Sequence, residues 1–235
     1  MVSMFDSPTT RDLSSRISKG IQIQEARSYY GFRNMRSSIH LEAYSDYLKP
    51  QSNNPSPSLQ TKMSWIQRQI VEPRTRFSKL LLVDALVRGV FCAGTLAAIE
   101  WTTREDPSAN ISSAFLEITR DLHQDVMFNS LVFSYLCRRI HPCSLADIVK
   151  EAVTIEQDFV KDNIDIGLDV NLINQHIEFA ADRLIIGFGG TAIYNSATVF
   201  SFKPLESSNN AKAQVGVEKP TSSLSTASLV FDEDF

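Results

Sequence analysis

The stretch EARSYYGFRNMRSSIHLEAYS, residues 25–45, decides how the rest of this chain folds around a site. As a helix it places His40 one turn before Tyr44. Its periodicity predicts one inward face made of Tyr30, Asn34, Ser37, Ser38, Leu41 and Tyr44, with His40 beside it. A helical metal site carries a carboxylate three residues before the histidine, but Ser37 stands there. The other three histidines follow Arg120, Arg138 and Ile173 at that spacing.

Length and composition indicate one ordinary globular core, because 43% of the 235 residues are hydrophobic and 9% are aromatic. A net charge of −4 argues against a general nucleic-acid binder, since the sequence offers no basic stripe to neutralise phosphates. Cys92, Cys137 and Cys143 lack the CxxC spacing and fit reduced thiols of a cytoplasmic or nuclear protein. The first residues contain no apolar h-region, so we expect no secretory signal.

One segment, residues 80–101, is apolar enough to be mistaken for a membrane span. Asp84 and Arg88 lie inside it four residues apart, and two charges near the centre of a span are costly. We therefore expect no membrane span but a buried helix, charged along one stripe, in the middle of a helical bundle.

Amphipathic segments joined by breaks that contain proline predict an all-α bundle. The expected helices cover about residues 21–48, 61–71, 75–103, 111–140, 145–163 and 169–188, with 11–19 as a further candidate. Ser144 is the expected N-cap of the helix at 145–163. The glycines at 187–190 predict the end of the last helix and not a phosphate loop.

Residues 207–235 differ in composition from the rest of the chain, because Ser, Asn, Thr, Ala, Lys and Pro dominate there. Such a segment buries too little apolar surface to offset its ordering, so we expect it to be disordered. Its last five residues are Phe231, Asp232, Glu233, Asp234 and Phe235. Two aromatic anchors around three acids predict a peptide that docks on another protein, and a plain acidic chain end is the alternative.

Six stretches of the chain, in this order, resemble the small subunit of class I ribonucleotide reductase, the ribonucleoside-diphosphate reductase small chain. They are EARSYYGF, IHLEAYS, GVFCAGTLAAIEW, IEQDF, IEFAADRL and the terminal FDEDF. The resemblance implies a ferritin-like helical bundle over residues 1–206, incomplete at its N-terminus. It also implies a flexible tail, residues 207–235, whose end docks on the large subunit.

The resemblance further implies a di-iron centre with six ligands, which in the intact family oxidises a nearby tyrosine to a stable radical. Only His40 matches its ligand. Four other ligand positions are occupied by Ser37, Arg88, Leu122 and Asp125. The sixth ligand, an aspartate, and a tryptophan of the electron path belong to a helix upstream of the aligned region. We therefore expect no di-iron cofactor.

The remaining residues of the family site are placed in the same way. Slipping the alignment by two residues matches His123 instead of Asp125, but it turns the side chain by about 200° and still lacks the glutamate. Tyr44 takes the position of the radical tyrosine, and without metal we interpret it as a hydrogen-bonded core tyrosine. Asp121 matches the aspartate that orients the ligand histidine, so we expect it to hydrogen-bond His40.

Other residues fall outside that site. His123, His141 and His176 are expected at surface or capping positions. No Tyr or Trp follows Tyr194, so the tyrosine that relays the radical from the tail is missing.

Three features of the family site are incomplete: the set of metal ligands, the electron path and the tail tyrosine that passes on the radical. Together they predict a small-subunit homologue in deoxyribonucleotide synthesis that does not form its own radical cofactor. It would act as a structural or regulatory partner of the large subunit, or of an intact small subunit in a heterodimer. One alternative is an active subunit with Tyr44 as the radical and metal held by His40, Glu42, Asp84, Asp121 or Asp125. Another is a truncated product without function, whose uncovered apolar faces favour aggregation.

Overall fold

The computed structural model describes residues 4, 7–47, 56–72, 74–105, 111–164, 167, 169–197 and 200, and these residues confirm the predicted all-α bundle. The side chains of residues 44–47, 103–105 and 111–114 are not among them. Tyr44 is thus described only as part of a helix. The predicted tail, residues 207–235, and its terminal peptide lie outside the described residues.

The helices, in chain order, are α1 Pro8–Gly20, α2 Gln24–Tyr47, α3 Pro57–Ile70, α4 Phe77–Gly89, α5 Ala93–Glu105, α6 Ile111–Ser134, α7 Pro142–Asn163 and α8 Val170–Gly187. The candidate run 11–19 belongs to α1. The single helix expected over 75–103 is wrong, because the chain turns at residues 90–92 and separates α4 from α5. The helix expected over 111–140 is too long by six residues, since α6 ends at Ser134.

Three helices begin in the same way, with a capping side chain followed directly by proline. The pairs are Ser7 and Pro8, Ser56 and Pro57, and His141 and Pro142. Each cap side chain accepts a hydrogen bond from a backbone N–H of the first turn, where proline itself needs no donor. The expected cap Ser144 is therefore wrong, because His141 already starts α7 three residues earlier.

The centre of the bundle is α4, whose residues from Leu80 to Arg88 are all buried. It packs along α6, and α1, α8 and α3 surround it. The segment Phe77–Thr102 has a mean hydropathy of 1.8 and is long enough to cross a membrane, but 89% of its apolar window is buried inside the structure. As expected from its two charges, α4 is a core helix.

The approach of α5 to α7 depends on Gly94. A Cβ atom at this position would overlap the Val160 side chain and lie 2.8 Å from Oε1 of Glu156. The backbone N–H of Gly94 also donates to the same Oε1 over 3.2 Å. Both helices would have to move apart to admit a side chain.

We predict that Gly94→Ala lowers the free energy of unfolding by about 1–3 kcal/mol, because overpacking a closed helix contact strains both helices. Gly31→Ala is the matched control, since a Cβ there meets nothing within 4 Å and alanine favours the helix. Urea unfolding of both variants measures the difference. Equal stability of the two variants would contradict the close approach.

Candidate functional site

The inward face of α2 differs from the predicted face. Tyr30 and Arg33 are buried, but Asn34 and Ser38 are exposed and Ser37 is half-buried. The predicted face is thus wrong at Asn34 and Ser38. The physical reason is an ion pair: Arg33 turns inward to reach a carboxylate on α4, which apolar periodicity does not reveal.

That carboxylate, Asp84, has no exposed surface and is bound from three sides. Arg33 Nη1 lies 2.5 Å from its Oδ2, and the Asn129 amide donates to the same oxygen over 2.7 Å. Arg88 Nε approaches within 3.3 Å from one turn further along α4. Burial alone would raise the pKa of Asp84, but Arg33 and Arg88 together hold that pKa below its ordinary value.

Arg88 joins α4 to α6. Its guanidinium contacts Asp84 through Nε and Asp125 through Nη1, the latter over 3.0 Å, although the residue is only 4% exposed. Burial would lower the pKa of Arg88, and the two aspartates reverse that effect and raise it. Asp125 also accepts hydrogen bonds from Arg36 Nη2 and from the Tyr29 hydroxyl, each over 2.8 Å.

At the outer end of these ion pairs lie His40 and Asp121, the pair that the sequence predicted. His40 Nε2 and Asp121 Oδ2 are 2.9 Å apart, so the expected hydrogen bond is present. Arg36 Nη1 binds the other oxygen of Asp121 over 2.6 Å. Burial lowers the pKa of His40 and the Asp121 carboxylate opposes this only in part, so the imidazole is a neutral partner near pH 7.

Two adjacent tyrosines complete the cluster. Tyr29 stacks on Phe128 with ring centroids 3.7 Å apart, and the Tyr30 hydroxyl donates to Asn129 over 2.6 Å. The Arg33 guanidinium lies 4.5 Å over the Tyr30 ring, a cation–π contact that supports a buried charge. Burial raises the pKa of both phenols, so both remain protonated and donate.

The sequence does carry a signal for this network that apolar periodicity misses. Tyr29, Arg33, Arg36 and His40 follow one another at spacings of four, three and four residues, which places them on one face of α2. A polar stripe of helical period that includes two arginines needs buried carboxylates as partners. We define the ion-pair network as Arg33, Arg36, Arg88, Asp84, Asp121 and Asp125.

The residues present do not fit a di-iron centre. Three arginines face three aspartates within the ion-pair network, so each carboxylate is already bound by at least one guanidinium group and a cation would meet positive charge. Leu122, which the resemblance places at a ligand position, is buried and apolar. Throughout the part of the chain that the structure describes, no three His, Cys, Asp or Glu side chains are grouped so as to hold a metal ion.

The other three histidines have different surroundings. His141, which was expected at a surface or capping position, caps α7. His176 was expected at a surface or capping position, which is wrong: it is 5% exposed on the inner face of α8, with its ring against Phe200. Burial lowers the pKa of His176 to about 4, although Glu100 opposes the shift. His123 is half-buried, and burial also lowers its pKa.

A second buried ion pair, which sequence reasoning missed, connects α3 with α7. Lys62 Nζ binds Glu156 and also donates to the Phe91 carbonyl over 3.2 Å. The ammonium lies 3.4 Å from the centre of the Phe159 ring. Burial raises the pKa of Glu156 to about 7, and the Lys62 charge opposes this shift only in part.

Fold and network together define a class: a ferritin-like helical bundle whose central site is held together by ion pairs. Comparisons with known proteins identify the family. The model of the family described as ribonucleotide reductase, small chain, matches residues 1–201. The chain belongs to the ribonucleotide reductase small-chain family.

Curated relatives and a solved structure agree with this assignment. The ribonucleoside-diphosphate reductase small chain of Neurospora crassa is 32% identical over 214 residues, covering 84% of this chain and 52% of the relative. Small chain 1 of Saccharomyces cerevisiae is 29% identical over 257 residues, covering 98% and 64%. The chain thus spans about half to two thirds of the length of these relatives.

The solved structure is the ribonucleotide reductase Rnr4 homodimer from Saccharomyces cerevisiae. It superposes with a TM-score of 0.79 at 28% identity and covers 91% of this chain and 73% of its own.

We predict that Arg88→Met lowers the free energy of unfolding by about 3–5 kcal/mol, because Asp84 and Asp125 lose the cation that compensates their buried charge. Arg120→Met is the control: Arg120 pairs with Glu117 on the exposed side of α6, and its loss should cost less than about 1 kcal/mol. Chemical denaturation at pH 7 measures both. An Arg88→Met protein as stable as the parent would show that the network does not hold the bundle together.

We predict that Glu156 makes the protein less stable as pH rises from about 4.5 to about 7. In this range the folded state keeps a proton that the unfolded state has released, so stability falls, by roughly 1–3 kcal/mol. Glu156→Gln should remove this decline, and Glu151→Gln, an exposed site on the same helix, should retain it.

The quantity to measure is the difference in unfolding free energy between variant and parent across this pH range. Taking the difference cancels the contribution of the histidines to the pH dependence. Their pKa values are lowered, so their contribution to stability rises with pH, opposite to that of Glu156. A constant difference for Glu156→Gln would contradict the assignment.

Proposed function

We propose that this chain is a ribonucleotide reductase small subunit that does not assemble its own di-iron and radical cofactor and serves as a structural or regulatory partner in deoxyribonucleotide synthesis. One observation carries the proposal: Arg88 and Asp125, which stand at two of the positions that the resemblance assigns to metal ligands, are paired with each other inside the ion-pair network. Where a metal cation would bind, the chain instead has a buried guanidinium that is paired with two carboxylates.

The alternative of an active subunit requires other carboxylates to hold the metal. Asp84, Asp121 and Asp125 are each bound by an arginine, and Glu42 is exposed. Only His40 remains, and it is hydrogen-bonded to Asp121. The geometry therefore favours the partner role over an active radical site.

The alternative of a decayed product without function is less consistent with the pairing of charges. Each of the three arginines of the network reaches at least one aspartate, and two of these contacts join α2 to α6. Random loss of a metal site leaves buried carboxylates without partners, which destabilises a fold strongly. The pairing of every aspartate of the network with an arginine supports a fold that is maintained.

Partnering with another small subunit is supported by an exposed apolar stripe on α2. Phe32, Met35 and Ile39 lie one turn apart on one side of the helix and are 55%, 52% and 57% exposed. Apolar side chains grouped in this way are typical of a protein interface. The solved relative with the same fold is a homodimer, which agrees with pairing between small subunits.

Docking on the large subunit would use the terminal peptide, residues 231–235. Its support is the sequence alone: two phenylalanines flank three acids in residues 231–235.

We predict that the purified chain retains no iron after desalting and gives no tyrosyl radical signal, yet binds the large subunit of its own organism. A chain lacking residues 229–235 should lose that binding. Affinity capture with the large subunit, and metal analysis of the same sample, measure both. Iron together with a radical signal would refute the partner role, and iron-free protein that binds neither subunit would leave only shared ancestry.

The two contact surfaces are separable by variants. Phe32→Ser with Ile39→Ser should weaken pairing with an intact small subunit and leave tail-dependent binding to the large subunit unchanged. Leu131→Ser, an exposed apolar side chain on α6, is the matched control and should affect neither. Loss of both interactions in all variants would indicate unfolding, which circular dichroism detects.

A further inference from the structure

An open groove with a volume of about 1050 Å³ runs between α1 and α2. Four cationic side chains line it: Arg11 and Lys19 from α1, Arg27 from α2 and Arg88 at its floor. No carboxylate belongs to the groove lining among the residues that the structure describes. Arg88 is paired with Asp84 and Asp125, so the positive charge of the groove comes from the exposed cations on its walls, in a chain whose net charge is −4.

The rest of the lining is rich in hydrogen-bond donors. Ser14 and Ser18 come from α1, and Ser37, Ser38 and Asn34 come from α2. Side-chain hydroxyls and amides between cations are the groups that bind phosphate oxygens. Ile21 and Leu41 are the apolar residues of the described lining, so the groove offers no aromatic platform for a base.

Two of the cations are available for a ligand. Within the described part of the chain, neither Lys19 nor Arg27 has an ion-pair partner, and both are exposed on opposite walls of the groove. Uncompensated charges that converge on one concave surface focus positive potential and favour a polyanion over a single charge.

The groove also adjoins the replaced metal positions. Ser37 and Arg88, which stand where the resemblance implies carboxylate ligands, both line it. Carboxylates at these two positions would add negative charge to the groove, whereas Ser37 is neutral and Arg88 is already paired with Asp84 and Asp125.

We propose that the groove between α1 and α2 binds an anion that carries two or more linked phosphate groups. The phosphates contact Lys19 on one wall and Arg27 on the other, and the serine hydroxyls donate to the remaining oxygens. Recognition rests on the phosphates, because the lining residues that the structure describes include no aromatic side chain on which a base could stack. This inference is independent of the partner role proposed above.

The test is calorimetric titration of the full chain with sodium tripolyphosphate and with inorganic phosphate at low salt. Tripolyphosphate should bind at one site and about tenfold or more tightly than phosphate, since only the longer anion reaches both walls. Lys19→Gln with Arg27→Gln should weaken tripolyphosphate binding about tenfold or more. Lys150→Gln, which removes an exposed cation from α7 outside the groove, should leave it unchanged.

A second variant distinguishes specific binding in the groove from non-specific ionic attraction to the protein surface. Ser38→Asp puts a carboxylate into the groove at an exposed helix position and should abolish binding while circular dichroism stays native. Equal weakening in Lys150→Gln would mean non-specific ionic attraction and would overturn the proposal. So would equal affinity for phosphate and tripolyphosphate, or absence of binding. Binding of a synthetic peptide of residues 229–235 in place of tripolyphosphate would assign the groove to the acidic tail and also overturn it.

Discussion

The contact of Arg88 with Asp84 and Asp125 is the constraint on which the centre of this bundle depends. A charge buried alone is far too unfavourable to persist, so the guanidinium of α4 requires carboxylates from its own helix and from α6. Those carboxylates in turn draw Arg33 and Arg36 inward from α2. The rotation of α2 and its distance from α4 and α6 follow from this chain of requirements.

A similar arrangement holds the other side of the molecule. Lys62 of α3 reaches Glu156 of α7, and Gly94 of α5 donates its backbone N–H to the same carboxylate. The helices are thus positioned by two buried polar centres as well as by the apolar core. Buried polar groups of this kind fix which side chains face each other, since a rotated helix would leave a charge without a partner.

How much of this could be predicted from the sequence depends on the kind of interaction. Helical periodicity identified most helices, and the charges inside α4 correctly indicated a buried core helix instead of a membrane span. The pair of His40 with Asp121 followed from matched positions. The turn at residues 90–92 was missed because it lies inside one continuous apolar run.

The other misses share a cause: they depend on which helices meet. The inward rotation of Arg33 and the burial of His176 are set by residues on other helices. The cations of the groove are spread over three helices, so no basic run appears in the sequence. By contrast, the residues that the resemblance places at ligand positions could be read from the sequence one position at a time, although the pairing of Arg88 with Asp125 could not.

The closed network also has a consequence for evolution. Every carboxylate at the centre is matched by a guanidinium. Changing Arg88 to a glutamate would therefore place three buried acids, Asp84, Asp125 and the new glutamate, beside the two remaining arginines, Arg33 and Arg36. A different set of charges would require changes at several positions together, since each single change would leave buried charge without a partner. Single substitutions at the centre therefore carry a high cost in stability, so the ion-pair network resists stepwise replacement by a different set of charges.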